Sequence, residues 1–384
     1  MIEGILFLLY AILASMIIAL GVRLRHVYRL FQMNTILTPS KVIEELPSVS
    51  VLIPARNESH AMTDCLQHII NNNYPKLEII VLNDASNDKT SSLIKAFAHD
   101  GVRFVEGKAL PSGWLGKNHA LNELLQQASG TYALFLDVDT RLSPDAIEQL
   151  VAYATQEKAA MVSVLPRRED GWLLSTLFSP LRYFWTVLFH RQESPAVASS
   201  AWMIHQATFL AVCKDFRQMK AAIQPESKVA SIFMQQQLYR FLIGTPELGV
   251  AYEKKWRSQV DTSLRLLFPI LGGQVVRAMV AMLDLLIIAS PLLIFLVGSI
   301  TGWSVHQVIV VVLWLGFALL YGSYLRKVWR RGWLLGALLW GVIVIQEVML
   351  IGLSSFNYTR DRVTWKGRPV HLISDGSSKL NAEP

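Results

Sequence analysis

Cysteine is nearly absent from this chain of 384 residues. Cys65 and Cys213 are the only two, and they lie far apart in the sequence. Two distant cysteines make neither a disulfide framework nor the paired ligands of a structural zinc site. Acidic residues are also fewer than basic ones, 29 against 36, which leaves a formal net charge of +7. No nucleic-acid-binding motif accompanies this charge, so we expect no nucleic-acid partner.

A cleavage site is also missing after the first apolar stretch. Ile5–Val22 carries no charge and is long enough to span hydrocarbon. Because Arg23, Arg25 and Arg29 follow it at once, we predict a retained transmembrane anchor over residues 1–23 and not a signal peptide. The same basic residues predict that the chain after the anchor lies in the cytoplasm. Anionic lipid headgroups explain this charge better than nucleic acid does.

Long apolar stretches return near the end of the chain, within residues 279–355. Their lengths predict three transmembrane helices, at about Met279–Thr301, Val305–Tyr324 and Trp333–Ser354. Asp284 and Glu347 fall inside these predicted spans, where an acid either serves a function or reaches the interface near a helix end. We therefore expect a multi-pass protein of the inner (cytoplasmic) membrane.

Two shorter apolar segments and the C-terminal tail complete the membrane-associated part. Residues 172–190 are rich in aromatic side chains and predict an interfacial segment, and residues 263–278 predict an interfacial or re-entrant one. The basic loop Leu325–Arg331 should face the cytoplasm, and a third span would then place the tail, residues 356–384, outside. Yet the tail is itself basic. Its side of the membrane stays open.

A globular domain is predicted over residues 48–262, after a polar linker at 24–47. Apolar, β-branched runs alternate with segments of helical spacing, and such alternation predicts βαβ units with a mostly parallel sheet. The predicted strands are Ser48–Pro54, Leu77–Leu82, Val102–Glu106 and Tyr132–Leu136. After the last of them we predict a helix over Ser143–Thr155, with Ser143 as its N-cap and Pro144 in its first position.

Acidic side chains follow several of these strands. Asp84 comes after the second strand, and Asp137 and Asp139 come directly after the fourth. The carboxyl ends of parallel strands share one edge of the sheet, where open α/β sheets bind their ligands. Two carboxylates separated by one residue repel each other unless a cation lies between them, and oxygen ligands suit a hard divalent ion. The alternative is an ordinary acidic turn after a buried strand.

Four motifs in order resemble a known family. They are PARNE (54–58), LNDASNDKT (82–90), GWLGKNHAL (113–121) and FLDVDT (135–140). Together they resemble the membrane-bound family 2 glycosyltransferases, most of all the bacterial hopanoid- and carotenoid-associated branch that includes diaponeurosporenoate glycosyltransferases. The tail sequence Val363–Arg368 is similar to that branch as well. The resemblance is good over residues 48–165 and poor over 190–262.

The resemblance implies a fold, a donor and a set of site residues. The fold would be a GT-A-like nucleotide-diphospho-sugar transferase domain, with helices on both faces of a mostly parallel sheet and transmembrane helices beside it. The donor would be a nucleotide-diphosphate sugar, most commonly a UDP-sugar, with Mg²⁺ or Mn²⁺ as cofactor. The implied donor-binding residues are Pro54, Arg56, Glu58, Asp84, Lys117 and Asp137, and the implied metal ligands are Asp137 and Asp139. Asp139 would also count as catalytic through the metal.

The family's catalytic acid pair is not intact in this sequence. Glu226 stands where the usual Glu-Asp pair would begin, and Ser227 stands in place of the aspartate. Glu226 is either a general base or an acid at a helix N-terminus. The later QxxRW-type motif is also missing: Gln237–Phe241 has suitable residues but comes too early, whereas Lys254–Arg257 lies at a better distance with the wrong residues.

The predicted function is an inverting glycosyltransferase that moves a sugar to a lipophilic acceptor, such as a carotenoid, a hopanoid or another lipid, at the membrane. Two alternatives remain. One is a non-catalytic membrane protein that binds nucleotide sugar and has a degenerate acceptor site. The other is a polysaccharide synthase.

Overall fold

The computed structural model describes residues 2–31, 46–169, 181–253, 256–302 and 305–370. Its helices are α1 (Ile2–Leu30), α2 (Met62–Ile70), α3 (Thr90–Ala96), α4 (Gly116–Gln127), α5 (Ala146–Gln156), α6 (Arg182–Leu188), α7 (Gln206–Cys213), α8 (Pro225–Gln235), α9 (Trp256–Ile270), α10 (Val275–Thr301), α11 (Val305–Val328), α12 (Trp333–Leu338) and α13 (Trp340–Thr359). Its strands are β1 (Val49–Ala55), β2 (Leu77–Asn83), β3 (Val102–Glu106), β4 (Tyr132–Leu136), β5 (Thr140–Leu142), β6 (Met161–Leu165), β7 (Arg167–Arg168), β8 (Ala201–His205), β9 (Tyr239–Ile243), β10 (Val250–Tyr252), β11 (Thr364–Trp365) and β12 (Arg368–Pro369).

A sheet of seven strands forms the centre of the α/β part, in the order β3-β2-β1-β4-β8-β6-β9. Strands β1 to β4 are parallel to one another where they pair, and β8 runs antiparallel to both of its neighbours. The first four strands occur where the apolar runs predict them, each within a residue of the expected ends. The predicted fold class, a mostly parallel α/β sheet, is confirmed.

The strands are apolar throughout because both faces of the sheet are covered. Leu52 and Phe135 belong to one apolar cluster, whereas the adjacent Val51 and Leu134 belong to the cluster on the other face. A strand buried on both faces has a continuous apolar sequence instead of an alternating one. The first cluster continues into the membrane helices, so the sheet and the helical bundle share one core.

The helix after β4 begins later than predicted. Thr140–Leu142 forms β5 and pairs with β10, and the Ser143 N–H donates to the Gly249 carbonyl at 2.8 Å. Because that pairing keeps Ser143 in an extended connection, α5 starts only at Ala146, with Asp145 as its N-cap residue. The prediction of Ser143 as N-cap and Pro144 as first helical residue is wrong.

The N-terminal helix is longer than the predicted anchor. α1 continues to Leu30, so the first residues of the predicted linker, 24–30, are helical, and 32–45 lie outside the described residues. Arg23, near its end, donates from Nε to the Leu188 carbonyl at 3.1 Å and also contacts the His190 carbonyl. These bonds connect the anchor to α6 in the α/β part.

Among the described residues, four helices are long and apolar enough to cross a membrane. They are Glu3–Leu30, Val275–Ile300, Val305–Val328 and Trp340–Thr359. The first two late helices contain the predicted spans, but α10 begins earlier, at Val275, and α11 continues to Val328. The third predicted span, Trp333–Ser354, is not one helix, because the chain bends at Leu339 between α12 and α13.

The bend at Leu339 determines where the tail lies. α12 turns back along α11, with Ala337 against Gly322, and α13 starts beside the middle of α10, with Gly341 against Leu292. From there α13 runs back towards the beginning of α10, where Gly352 faces Met282. The α12–α13 pair therefore enters and leaves the bundle on one side. The tail emerges on the side that carries the α/β part.

The two predicted interfacial segments are divided into shorter elements, and their position at the membrane interface stays a prediction. Of residues 172–190, 172–180 lie outside the described residues, and Arg182–Leu188 forms α6, which packs between the sheet and the bundle: the Phe184 ring lies 5.4 Å from that of Tyr321. Residues 263–278 are not a single segment. They comprise the end of α9, a turn in which Gly272 and Gly273 have positive φ, and the beginning of α10.

Candidate functional site

The predicted site residues meet at the carboxyl edge of the sheet. A cleft of about 910 Å³ opens there, a volume within the usual range for a small-molecule site. Its lining includes Pro54, Glu58, Lys117, Asp137, Asp139 and Lys366. Residues that lie far apart in the sequence are brought together because β1 and β4 are neighbours in the sheet.

The backbone of the Asp137–Thr140 turn is held by strands on both sides. The Asp137 N–H donates to the Ser200 carbonyl at 2.9 Å, and the Glu253 N–H donates to the Asp139 carbonyl at 3.3 Å. The Thr140 hydroxyl donates to the same Ser200 carbonyl, at 2.9 Å. With its backbone fixed in this way, the turn directs both aspartates to the wall of the cleft.

Lys117 lies against the first of these aspartates. Its Nζ is 2.8 Å from Asp137 Oδ1, at the beginning of α4. Burial alone would lower the pKa of Lys117, but the Asp137 and Glu226 carboxylates outweigh it, and the pKa is raised. Lys117 is therefore a cation on the cleft wall, beside the predicted metal ligand Asp137.

The next residue, Asn118, serves the fold. Its side-chain amide donates to the carbonyls of Met219, Lys220 and Ala222 at 2.8, 3.1 and 2.8 Å, and the residue is almost fully buried. These bonds fasten the loop before α8 to the beginning of α4. The amide is thus committed to the loop that leads to Glu226.

We expect Asn118→Asp to destabilise the protein by about 2 kcal/mol, because a carboxylate would replace a donor against three buried carbonyls. Thermal unfolding of the purified protein in detergent would measure the loss. Asn122→Asp is the comparison on the same helix, since Asn122 accepts from the Phe216 N–H through Oδ1 and keeps that acceptor as aspartate. Equal stability of the two variants would contradict the role given to Asn118.

The turn after β1 packs against the turn after β2. Arg56 Nη1 donates to the carbonyls of Asp84 and Ala85 at 2.6 and 2.9 Å. Arg56 therefore holds the two turns together through hydrogen bonds within the protein.

Burial raises the pKa of Glu58, an effect that Lys366 opposes and that Asp139 and Asp137 increase. The pKa of Glu58 therefore depends on the two aspartates that follow β4, the strand beside β1 in the sheet.

Asp84 is nearly buried and does not line the cleft itself. The Arg368 guanidinium, from the tail, donates to Asp84 Oδ2 at 2.6 Å and covers it. The family resemblance implies a donor-binding role for Asp84 and none for Arg368. The similarity of Val363–Arg368 to the resembled branch was the sequence feature that pointed to Arg368. The sequence did not show on which side of the membrane the tail lies, so it did not place Arg368 at the site.

Glu226 lies at the beginning of α8 and is 1% exposed. Among the described residues, its Oε2 atom has no hydrogen-bond partner. Burial raises the pKa of Glu226, and Lys117 partly opposes the increase. The carboxylate shares a small pocket with Lys117 and Arg265, so it faces the same cations as Asp137. A buried carboxylate of this kind can accept a proton.

Two arginines beside the cleft were not predicted as site residues. Arg265, on α9, lines the cleft and the Glu226 pocket, and its guanidinium lies 5.4 Å from the Trp365 ring centre. Arg182, on α6, is 7% exposed, and within the described part of the chain its Nε and Nη1 atoms have no hydrogen-bond partner. Each arginine is flanked by apolar residues and belongs to no recognisable motif, so the sequence did not point to either of them.

The two candidates for the QxxRW motif separate in the structure. Arg240 lies on β9 at the edge of the sheet, where its Nε is 3.1 Å from Glu157 Oε2. It has no place in the cleft. Arg257, from the candidate at Lys254–Arg257, does line the cleft, whereas Lys254 and Lys255 lie outside the described residues.

The donor atoms near Asp139 suit a hard cation that binds together with a ligand. In the part of the chain that the structure describes, no group of three or more His, Cys, Asp and Glu residues could hold a metal alone. Asp137 and Asp139 nevertheless present carboxylate oxygens to one cleft, and the Lys117 ammonium already neutralises Asp137. Two carboxylates completed by diphosphate oxygens are the usual environment of Mg²⁺ or Mn²⁺.

Comparisons with known proteins identify the α/β part. Residues 50–218 match the family model described as Glycosyl transferase family 2. Residues 50–218 are therefore similar to the family 2 glycosyltransferases. All of β1 but Val49, the Asp84 turn and the Asp137–Asp139 turn fall within the matched residues. Glu226 and the tail fall outside them.

Curated relatives share this domain but not the whole chain. The probable glycosyltransferase YdaM of Bacillus subtilis (strain 168) is 38% identical over 125 residues, 31% of this chain and 30% of the relative. A poly-beta-1,6-N-acetyl-D-glucosamine synthase of Staphylococcus epidermidis is 36% identical over 115 residues, 29% of this chain and 27% of the relative. The match thus spans less than a third of either relative. The hopanoid- and carotenoid-associated branch stays a prediction.

A solved structure extends the likeness to most of the chain. The mannosyltransferase PcManGT from Pyrobaculum calidifontis, in complex with GDP-Man and Mn²⁺, matches with a TM-score of 0.52, over 90% of this chain and 99% of that one, at 18% identity. At this identity the likeness shows the fold alone. The expected GT-A-like fold of the family 2 domain is confirmed.

Proposed function

We propose that the protein is an inverting glycosyltransferase of the cytoplasmic membrane that moves a sugar from a nucleotide-diphosphate sugar to a lipophilic acceptor. One observation carries the proposal. A small cavity beside Asp137 and Asp139 and a larger apolar cavity among the membrane helices have two wall residues in common, Arg182 and Tyr183. A donor on the acidic side and a lipid on the apolar side would meet at this wall.

The apolar cavity supports a lipid acceptor, such as a carotenoid, a hopanoid or another lipid. It has a volume of about 600 Å³ and lies between α1, α6, α9, α10 and α13. Its apolar wall includes Met16, Trp185, Leu267, Leu285 and Ile351. Because α1, α10 and α13 are long enough to cross a membrane, a lipid would reach the cavity directly from the bilayer.

Asp137, Asp139 and Lys117 are assigned to the donor. The two carboxylates would hold Mg²⁺ or Mn²⁺, and the bound ion would stabilise the negative charge that develops on the departing nucleotide diphosphate. Lys117 would place its ammonium on a diphosphate oxygen, close to its present position on Asp137. PcManGT, which holds GDP-Man and Mn²⁺, has the same fold. A UDP-sugar or a GDP-sugar is the proposed donor class.

Glu226 is the proposed general base. Its flanking residues Gln224 and Ser227 line the apolar cavity, while Glu226 faces the pocket of Lys117. An acceptor hydroxyl that enters from the apolar side would transfer its proton to the free carboxylate oxygen as it attacks the sugar. Direct attack by the acceptor oxygen displaces the diphosphate from the opposite side of the anomeric carbon. The sugar configuration would therefore invert.

A lipid-extraction assay tests this function. Membranes that contain the protein would be incubated with labelled UDP- and GDP-sugars, and the organic extract analysed by mass spectrometry for new glycolipids. The proposal expects a product in which one sugar is attached to a lipid, absent from membranes that contain Asp139→Ala. Donor binding without any transfer would instead support the non-catalytic alternative.

Filling the apolar cavity is expected to weaken binding of the acceptor without changing binding of the donor. Ala281 lines the cavity from α10, and Ala281→Phe should raise the acceptor KM by about tenfold while the donor KM stays unchanged. Val276→Phe is the matched control, because Val276 lies on the same helix, is 71% exposed and does not line the cavity. An acceptor KM that rises equally in both variants would argue against this cavity.

A polysaccharide synthase is the second candidate, favoured by the likeness to the poly-beta-1,6-N-acetyl-D-glucosamine synthase. The two activities differ in product length. A ladder of increasing mass in the extract, or an insoluble polymer, would identify a synthase. A single added sugar would identify the lipid glycosyltransferase.

A further inference from the structure

A short hairpin after the last membrane helix reaches back to the acidic edge of the sheet. β11 and β12 pair antiparallel, Thr364 with Pro369 and Trp365 with Arg368. The two residues between them, Lys366 and Gly367, have φ values of 48° and 81°. Positive φ at both central positions is typical of a type I′ turn, the turn that favours glycine and closes tight hairpins.

The hairpin carries two cations, and each one contacts a carboxylate of the site. Lys366 Nζ lies 2.9 Å from Glu58 Oε1 and also donates to the Asn57 carbonyl at 3.0 Å. Arg368 donates to Asp84 Oδ2 at 2.6 Å. In the reverse direction, Arg56 Nε donates to the Lys366 carbonyl at 3.0 Å. Both turns of the donor site are thus bonded to the tail.

The fold leaves room for these contacts at one glycine. A Cβ on Gly116 would lie 2.6 Å from Arg368 Nη1 and 3.2 Å from Asp84 Oδ2. Gly116 is the first residue of α4, next to Lys117, so the hairpin lies directly beside the cation assigned to the diphosphate. Trp365 lines both the cleft and the pocket of Glu226.

The charges at this edge of the sheet explain why the cations matter. Four carboxylates converge here, those of Glu58, Asp84, Asp137 and Asp139, and a nucleotide diphosphate brings further negative charge. Lys366 and Arg368 are paired with the first two. The remaining two, Asp137 and Asp139, are the carboxylates assigned to a divalent cation, with Lys117 beside Asp137. Without the hairpin, an anionic donor would face uncompensated carboxylates.

We propose that this hairpin, residues 363–370, is part of the donor site, and that Arg368 and Lys366 are positioning residues for Asp84 and Glu58. This rests on the proposed function, in which the cleft binds a nucleotide-diphosphate sugar. Arg368 engages one oxygen of Asp84, and the other oxygen would be left for the nucleoside. The final membrane helix pair, by returning the chain to the side of the α/β part, delivers a segment that completes the site.

Nucleotide binding to the full-length protein in detergent tests the proposal. UDP and GDP would be titrated separately in the presence of Mn²⁺, by calorimetry. With the nucleotide that the unaltered protein binds, Arg368→Ala should raise Kd by about tenfold, because the Asp84 carboxylate loses the charged hydrogen bond that holds it in place. Arg368→Lys, which keeps the charge, should recover most of the affinity. Arg360→Ala, an exposed arginine of the same tail, should leave Kd unchanged.

A double substitution separates positioning from a general structural effect. If Arg368 acts through Asp84, adding Arg368→Ala to Asp84→Asn should cost little further affinity, whereas independent effects would multiply. Multiplying effects, or an Arg368→Ala protein that binds like Arg360→Ala, would overturn the proposal. If the unaltered protein binds neither nucleotide, the proposed function itself fails, so the two failures are distinguishable.

Discussion

Asp139→Ala is expected to lower glycosyl transfer by at least about 10³-fold. The Asp137–Thr140 turn is anchored through its backbone to Ser200 and Glu253, so the substitution should leave the turn in place. What is lost is one of two carboxylates assigned to a divalent cation. Transfer of labelled sugar to extracted lipid measures the effect directly.

Metal dependence should change together with activity. The unaltered protein is expected to lose activity in a chelator and regain it with Mn²⁺ or Mg²⁺, whereas Asp139→Ala should not respond to added metal. Asp261→Asn is the control, since Asp261 is an exposed aspartate of α9 on the wall of the same cleft. It should stay within a few-fold of the original activity. Substantial transfer by Asp139→Ala would refute the metal assignment.

Glu226→Gln is expected to lower kcat by about 10²- to 10⁴-fold while nucleotide affinity stays unchanged. The amide has nearly the same shape as the carboxylate but cannot accept the acceptor's proton. Lys228→Gln, an exposed position on the same helix, controls for disturbance of α8. If Glu226→Gln transfers sugar normally while Asp139→Ala does not, the base lies elsewhere or is not needed.

The pH profile gives a second measurement of the same group. Burial raises the pKa of Glu226 above the ordinary glutamate value of about 4.3, and the base must be ionised to act. In the unaltered protein, kcat should therefore fall as the pH is lowered through this raised pKa. The residual activity of Glu226→Gln should lack that acidic limb.

Glu226→Gln should lower activity without lowering the stability of the fold. Because the folded-state pKa of Glu226 is raised, the ionised form is disfavoured by folding, and its cost to the free energy of unfolding is greatest at pH values above that pKa. Glu226→Gln removes this cost. The variant should melt at the same temperature as the unaltered protein or higher at neutral pH, which would separate lost catalysis from lost folding.

Much of the α/β part could be predicted from local sequence. Runs such as Ile79–Leu82 and Tyr132–Leu136 are buried, as their continuous apolar sequences predict. The error at Ser143 arose because a short strand, β5, forms only when β10 arrives from about a hundred residues later. Local capping preferences cannot anticipate such a pairing.

The sequence by itself determined the kind of sheet, the acidic turns at its edge and the number of apolar stretches. These follow from apolar runs and turn residues, whose preferences act over a few neighbouring positions. Only the tertiary structure decided that the last apolar stretch bends at Leu339 and that Arg368 therefore reaches Asp84. It also decided that one oxygen of Glu226 has no hydrogen-bond partner among the described residues. Each of these features depends on packing between segments that are distant in the sequence. Because α13 returns beside α10, the tail emerges on the side of the α/β part. Hydropathy gives the length of an apolar stretch but does not show whether that stretch crosses the membrane or turns back within it.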